Sequence, residues 1–130
     1  MSTNYTIITA ERPDTADAIG LIDDQVAFFV ARHEETPAGC GGIKLFGTEY
    51  GELKRMYVRP RFRGLGIGRL LLDRLSNHAR SHAVHVLRLE TGIHQAEAIR
   101  LYKRMGFKPI PPFPPYRPDP LSRCYEKRLD

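Results

Sequence analysis

The feature that most constrains the fold is a glycine-rich turn between a strand-like and a helix-like segment. The turn reads Arg63-Gly64-Leu65-Gly66-Ile67-Gly68-Arg69. Glycines let successive backbone amides face one point, with no Cβ to block a ligand. The helix that follows points its unsatisfied N–H groups and the positive end of its dipole at the same place. The segment is typical of an anion-binding site, and a strand-to-helix connection without a ligand is the alternative.

Two common phosphate-binding loops do not fit this turn. A P-loop requires Gly-Lys-Ser or Gly-Lys-Thr after its glycines, where this chain has Arg69-Leu70. The dinucleotide fingerprint requires G-x-G-x-x-G, whereas these three glycines recur at every second position. The turn therefore belongs to a different class of anion site.

The pattern around the turn predicts a single mixed α/β domain, as expected for 130 residues. Residues 52–58 alternate as a strand, which places Glu52, Lys54, Met56 and Val58 on one face. Residues 67–80 and 96–105 have helical apolar spacing, and 107–118 form a proline-rich loop. The other predicted elements are a short helix over 14–24 and strands over 4–10, 25–33, 39–45, 84–91 and 124–129.

Composition excludes several classes of function. No run of about 18 apolar residues predicts a membrane span, and the N-terminus does not resemble a secretory signal, so we expect a cytoplasmic protein. Two cysteines are too few for a disulfide scaffold, and His78 and His82 have no third ligand at a recognised spacing, so no metal site is predicted. The net charge of +5 suits either nucleic acid or the phosphates of a small cofactor.

Two motifs together resemble the GNAT superfamily of N-acetyltransferases. Arg63-x-x-Gly66-x-Gly68 is similar to its pyrophosphate-binding signature. The later segment Ala98-Ile99-x-Leu101-Tyr102-x-x-x-Gly106-Phe107 is similar to its second marker. The resemblance covers residues 25–129 and implies a mostly antiparallel central sheet flanked by helices.

The resemblance implies a site for acetyl-CoA, with no metal. The turn, through Arg63 and the backbone amides of Gly64 to Arg69, would hold the pyrophosphate. Met56, Tyr57 and Val58 would offer backbone groups to the pantetheine arm, because their strand splays from the next strand in this family. Gln95 stands where many members have asparagine, which implies a cofactor contact, with an exposed helix start as an equal alternative. The resemblance also implies that Leu65, Ile67 and Gly68, which belong to the same turn, contribute to the pyrophosphate site.

Two side chains are the candidates for catalysis by acetyl transfer to an amine. Tyr102 matches the family tyrosine that protonates the departing thiolate; packing in a helical stripe is its structural alternative. Glu52 lies where several members place a base; an ion pair with Lys54 or Arg55 is the alternative. By the same analogy, a backbone N–H near Met56 would stabilise the oxyanion.

The acceptor is expected to be a primary amine of a small molecule or peptide. The family usually has two helices where this chain has only 14–24, so the acceptor cleft is either open or completed by a second copy in a homodimer. Tyr116, Arg117 and Arg123 either wall that cleft or lie in a surface connection. A non-catalytic acyl-CoA sensor is the first competing hypothesis. A nucleic-acid-binding domain is the less favoured one, because no such motif occurs.

Overall fold

The structure of the protein is a computed structural model that describes residues 6–11 and 26–130. The predicted helix over 14–24 lies outside the described residues. The helices and strands follow in chain order: β1 Thr6–Ala10, β2 Val26–His33, β3 Thr36–Phe46, β4 Tyr50–Val58, a 3₁₀ turn Pro60–Phe62, α1 Ile67–Ser81, β5 Val86–Gly92, α2 Ala96–Arg104, β6 Lys108–Ile110 and β7 Ser122–Arg128.

The described strands form one sheet in the order β1-β2-β3-β4-β5-β7-β6. Every neighbouring pair is antiparallel except β4 and β5, which are parallel. The register joins β4 to β5 at Gly51 with Leu87 and at Glu52 with Arg88, both near the start of each strand. Beyond these pairs the two strands part, so the mixed, mostly antiparallel sheet and the splay are both confirmed.

One face of the sheet carries both described helices and the main hydrophobic core. The predicted apolar stripe of α1 is mostly buried there: Leu71 and Leu75 are fully buried, whereas Leu70 is 42% exposed. Tyr102 of α2 belongs to the same cluster of core residues. Gly106 follows α2 with φ +94°, which confirms it as the residue that ends the helix in a left-handed conformation. No described helix has the length and apolarity needed to cross a membrane.

The opposite face carries a smaller aromatic cluster over β4, β5 and β7. Tyr50 stacks on Phe46 with ring centroids 4.8 Å apart. Phe113 meets Tyr50 edge to face at 5.8 Å. The guanidinium of Arg88 lies over the Tyr50 ring at 4.5 Å and pairs with Glu126 at 2.9 Å. These contacts hold residues 111–120, here called the proline segment, against the sheet.

The largest differences from the predicted strand boundaries are at β3 and β6. β3 extends from residue 36 to 46, because the turn needs only Glu34 and Glu35, whose φ angles of 50° and 72° are left-handed. Residues 108–110 form strand β6, although they were predicted as loop. Pro109 is tolerated because β6 is an edge strand that pairs only with β7.

A β-bulge in β4 overturns the predicted alternation of that strand. Arg55 and Met56 together oppose the single residue Gly41, and Arg55 has φ 56°. As a result Leu53 and Met56 both pack in the main core, while Glu52 lies on the face of the aromatic cluster. The prediction that Glu52 and Met56 share a face is therefore wrong.

Candidate functional site

A cavity of about 940 Å³ opens where β4 and β5 part, on the face that carries the helices. The glycine turn, the end of β4 and helix α2 form its walls. The predicted cofactor-binding residues that line it are Met56, Tyr57, Val58, Arg63, Gly64, Gly66, Ile67, Gly68, Arg69 and Gln95. Of the other predicted site residues, Tyr102 also lines the cavity, whereas Leu65 and Glu52 are not among its lining residues. Leu65 is half exposed, so its side chain points away from this space.

The glycine turn forms an open cradle of backbone amides at one end of the cavity. Gly64 and Gly66 have φ angles of +82° and +79°, and a Cβ built on either would have no heavy atom within 4 Å. Gly66 is the N-cap of α1, and Leu70 donates the first backbone bond to its carbonyl at 3.1 Å. The N–H groups of residues 67–69 therefore have no intrahelical acceptor, which leaves them available to an anion.

Close contact between the two helices places Tyr102 in the cavity wall. A Cβ at Gly68 would lie 2.6 Å from Cδ2 of Leu101, so glycine lets α2 approach the first turn of α1. Leu101 precedes Tyr102 in α2, and both residues line the cavity. Gly68 thus has a packing role that its place in the motif did not reveal.

Arg63 connects three walls of the cavity. Its Nε donates to the carbonyl of Val58 at 3.2 Å, and its guanidinium lies 3.4 Å from the carboxylate of Glu97 on α2. Both partners in the ion pair are substantially exposed, so the pair itself contributes little to stability. Its consequence is positional, since a cation is held beside the amide cradle.

Tyr102 is a buried phenol whose oxygen reaches the cavity. The side chain is 5% exposed, and burial raises the pKa of the phenol to about 12. No hydrogen bond to its hydroxyl occurs among the described residues, yet none of their buried polar side-chain atoms lacks a partner. The hydroxyl must therefore be open to the cavity. A neutral phenol there can donate a proton at neutral pH.

Glu52 lies outside the cavity and on the other face of the sheet. It is only 1% exposed, and Nζ of Lys54 lies 3.7 Å from one carboxylate oxygen. The other oxygen accepts a hydrogen bond from the hydroxyl of Tyr116. The ion pair with Lys54, one alternative for Glu52 in the sequence, is present. The sequence did not predict the bond from Tyr116, because the two residues are 64 positions apart.

Gln95 lies at the start of α2, where its side chain makes no capping bond to the helix. It borders the cavity beside His94 and is exposed to solvent, so the exposed helix start that the sequence offered as the alternative is also present. His78 and His82 lie far from it on α1, with ring centroids 4.5 Å apart. Among the described residues, no group of three His, Cys, Asp or Glu side chains is arranged to hold a metal ion.

Comparisons with known proteins agree with this architecture. The family model described as acetyltransferase (GNAT) matches residues 3–107, so the match begins well before residue 25. An IAA acetyltransferase of Azospirillum brasilense is 47% identical over 122 residues, which are 92% of this chain and 79% of that protein.

Solved structures give the same result. A proposed acyl-CoA N-acyltransferase of Klebsiella pneumoniae superposes with a TM-score of 0.87 and 39% identity, over 96% of this chain and 98% of that one. A GNAT family acetyltransferase of Elizabethkingia anophelis with acetyl-CoA bound has a TM-score of 0.76 at 19% identity, over 95% and 98% of the chains, and shares the fold. By its sequence and its fold, the chain belongs to the GNAT family of acetyltransferases.

Proposed function

We propose that this protein transfers an acetyl group from acetyl-CoA to a primary amine of a small molecule or peptide. The observation that carries the proposal is one cavity whose walls combine an amide cradle, a strand edge and a buried phenol. The relatives named as acetyltransferases support the reaction class. The cytoplasmic location and the homodimer expected from the sequence stay predictions.

The chain's residues fit a coenzyme A thioester along the whole cavity. The pyrophosphate would lie against the N–H groups at the start of α1, with Arg63 adding positive charge. The edge of β4 from Met56 to Val58 pairs with β3 on one side only, because β5 has already diverged. Its outward backbone groups are available to the amides of the pantetheine arm, as they would be to an added strand, except that the Val58 carbonyl already accepts a hydrogen bond from Nε of Arg63.

The acyl group would then lie at the gap in the sheet, beside Tyr102. The co-substrate supplies the activated carbonyl carbon. When the amine nitrogen bonds to that carbon and the carbon–sulfur bond breaks, Tyr102 gives its proton to the sulfur. Before the attack, the ammonium group gives one proton to a base, for which Glu52 is the candidate. After the attack, the nitrogen gives its extra proton to the Tyr102 phenolate, which becomes a neutral phenol again.

Cofactor binding is tested with two matched glycine variants. Gly66→Asp adds a side chain and a negative charge inside the cradle, whereas Gly47→Asp adds the same group in the turn between β3 and β4. Both glycines have positive φ and open space around the added Cβ, so the backbone strain is similar. We expect acetyl-CoA to raise the melting temperature of the wild type and of Gly47→Asp, but not of Gly66→Asp.

Equal melting-temperature shifts in the two variants would contradict a site at this turn. Transfer itself is measured by release of free thiol with a panel of acceptors: amino acids, polyamines, aminoglycosides and peptides with free N-termini. IAA, which appears in the name of the A. brasilense relative, belongs in the same panel. Tight acetyl-CoA binding without thiol release from any acceptor would favour the non-catalytic sensor instead.

A further inference from the structure

The candidate base Glu52 is shielded from any acceptor by another residue. Its side chain is 1% exposed, and the hydroxyl of Tyr116 donates to the carboxylate oxygen that does not face Lys54. Tyr116 is half-buried at the surface of the proline segment. A proton that travels from outside to this carboxylate oxygen therefore meets the Tyr116 hydroxyl first.

Glu52 also lies at the point where the sheet opens. It is the second of the two β4 residues that pair with β5, and the strands diverge directly after it. The cavity for the acyl donor lies on the helix face of this gap, whereas Glu52 and Tyr116 lie on the aromatic face. An amine that approaches the gap from the aromatic face would pass these two side chains.

The position of Tyr116 is fixed by its own turn and by neighbouring rings. Its backbone N–H donates to the carbonyl of Phe113 at 2.7 Å, which closes a tight turn through Pro114 and Pro115. The Tyr116 ring meets the Phe113 ring edge to face at 5.1 Å. Phe113 is itself held between Tyr50 and the guanidinium of Arg88. The Tyr116 side chain is thus held in place before any substrate binds.

We propose that Tyr116 relays a proton from the ammonium group of the acceptor to Glu52, a role that rests on the proposed amine acetyltransferase function. The hydroxyl oxygen of Tyr116 takes a proton from the ammonium nitrogen while its own proton moves to Oε2 of Glu52. The products are a neutral amine, an unchanged phenol and a neutral carboxyl group. Glu52 returns its proton to water after the acetylated product leaves, so the enzyme ends each turnover as it began.

The surroundings of Tyr116 suit a neutral relay. Burial, the hydrogen bond to Glu52 and the nearby charge of Glu90 raise the pKa of the phenol, so it stays protonated between turnovers. Carboxylates near the hydroxyl also favour a cationic acceptor over an anionic one. The titratable and charged groups on this face of the strands include Lys44, Tyr50, Glu52, Lys54, Arg88, Glu90, Cys124 and Glu126.

The relay is tested with Tyr116→Phe, with Tyr50→Phe as the matched control. Tyr50 belongs to the same aromatic cluster, and its hydroxyl makes no hydrogen bond to Glu52 among the described contacts. The measurement is the pH profile of kcat/KM for the amine with the highest wild-type rate in the panel above. At neutral pH we expect Tyr116→Phe to lose about 10²-fold or more in kcat/KM, and Tyr50→Phe to match the wild type.

Without the relay, only the amine that is already neutral in solution reacts. The kcat/KM of Tyr116→Phe should therefore rise about tenfold per pH unit towards the pKa of the amine, near 10 for an alkyl amine such as lysine. The wild type should have a flatter profile. Glu52→Gln should behave similarly, and the double variant should be no slower than either single one, because both changes break one path.

A Tyr116→Phe variant with the wild-type pH profile would overturn the relay. So would a raised KM with unchanged kcat, or losses that multiply in the double variant. The melting-temperature shift with acetyl-CoA should be unchanged in Tyr116→Phe, which separates the relay from donor binding. A wild type that binds acetyl-CoA but acetylates no amine would instead refute the proposed function, and the relay with it.

Discussion

Replacing Gly68 with alanine tests whether close packing of the two helices builds the site. The new Cβ would lie 2.6 Å from Cδ2 of Leu101, closer than real Cβ contacts allow. Cδ2 is the end of a flexible side chain, so Leu101 can move aside at a cost near the lower end of the about 1–3 kcal/mol typical of overpacking. Alanine offsets about 0.5–1 kcal/mol of this cost, because it loses less backbone entropy on folding than glycine does. We expect a net destabilisation of at most about 1 kcal/mol, or a fall of at most about 4 °C in melting temperature.

The matched control places the same change in a Leu101→Ala background. There the methyl groups that clash with the Cβ are gone, so Gly68→Ala should be neutral or stabilising. A double-mutant cycle from thermal and urea unfolding then gives the coupling between the two positions. Equal destabilisation in both backgrounds would refute the packing argument. Because Leu101 adjoins Tyr102, we also expect kcat of Gly68→Ala to fall, since a misplacement of about 1 Å can cost about 10²-fold.

Two further predictions concern side chains with shifted pKa values. Tyr102→Phe should lower kcat by about 10²-fold or more while acetyl-CoA still raises the melting temperature, because only the proton donor is lost; thiol release at an unchanged rate would exclude Tyr102 as the acid. Burial and the nearby charges of His82 and Arg74 lower the pKa of His78 in the folded state, so the unfolded chain binds more protons there. The free energy of unfolding should therefore decrease as pH falls below about 6.5, and His78→Gln should decrease less over that range; parallel curves in urea titrations would contradict this.

Local patterns in the sequence were sufficient to predict both described helices and the glycine turn. The stripe of α1, the left-handed Gly106 after α2 and the glycines at 64 and 66 each depend on neighbours within one turn of chain. Strand β6 was not predicted, because Pro109 argues against a strand unless its edge position is known. That position follows from how β7 pairs, which is not a local property.

Glu52 has a contact with Tyr116 that was also not predictable, because the two residues are distant in the sequence. Its base role came from a resemblance in sequence position, whereas its partner Tyr116 comes from a segment that crosses the sheet and returns. The sequence predicts a proline-rich loop over 107–118, but not which face of the sheet that loop covers. Packing of Phe113 on Tyr50, under the Arg88 guanidinium, decides that face.

The bulge in β4 would let one strand serve both sides of the proposed transfer reaction. In a regular strand, Glu52 and Met56 would point to the same face, since they are an even number of positions apart. The extra residue opposite Gly41 reverses this, so Glu52 faces Tyr116 while Met56 packs towards the helices. The strand thus presents a carboxylate to the aromatic face and its backbone edge to the donor cavity. In the proposed reaction, donor and acceptor could therefore approach the gap between β4 and β5 from opposite faces of the sheet, which would bring the amine close to the thioester for direct attack.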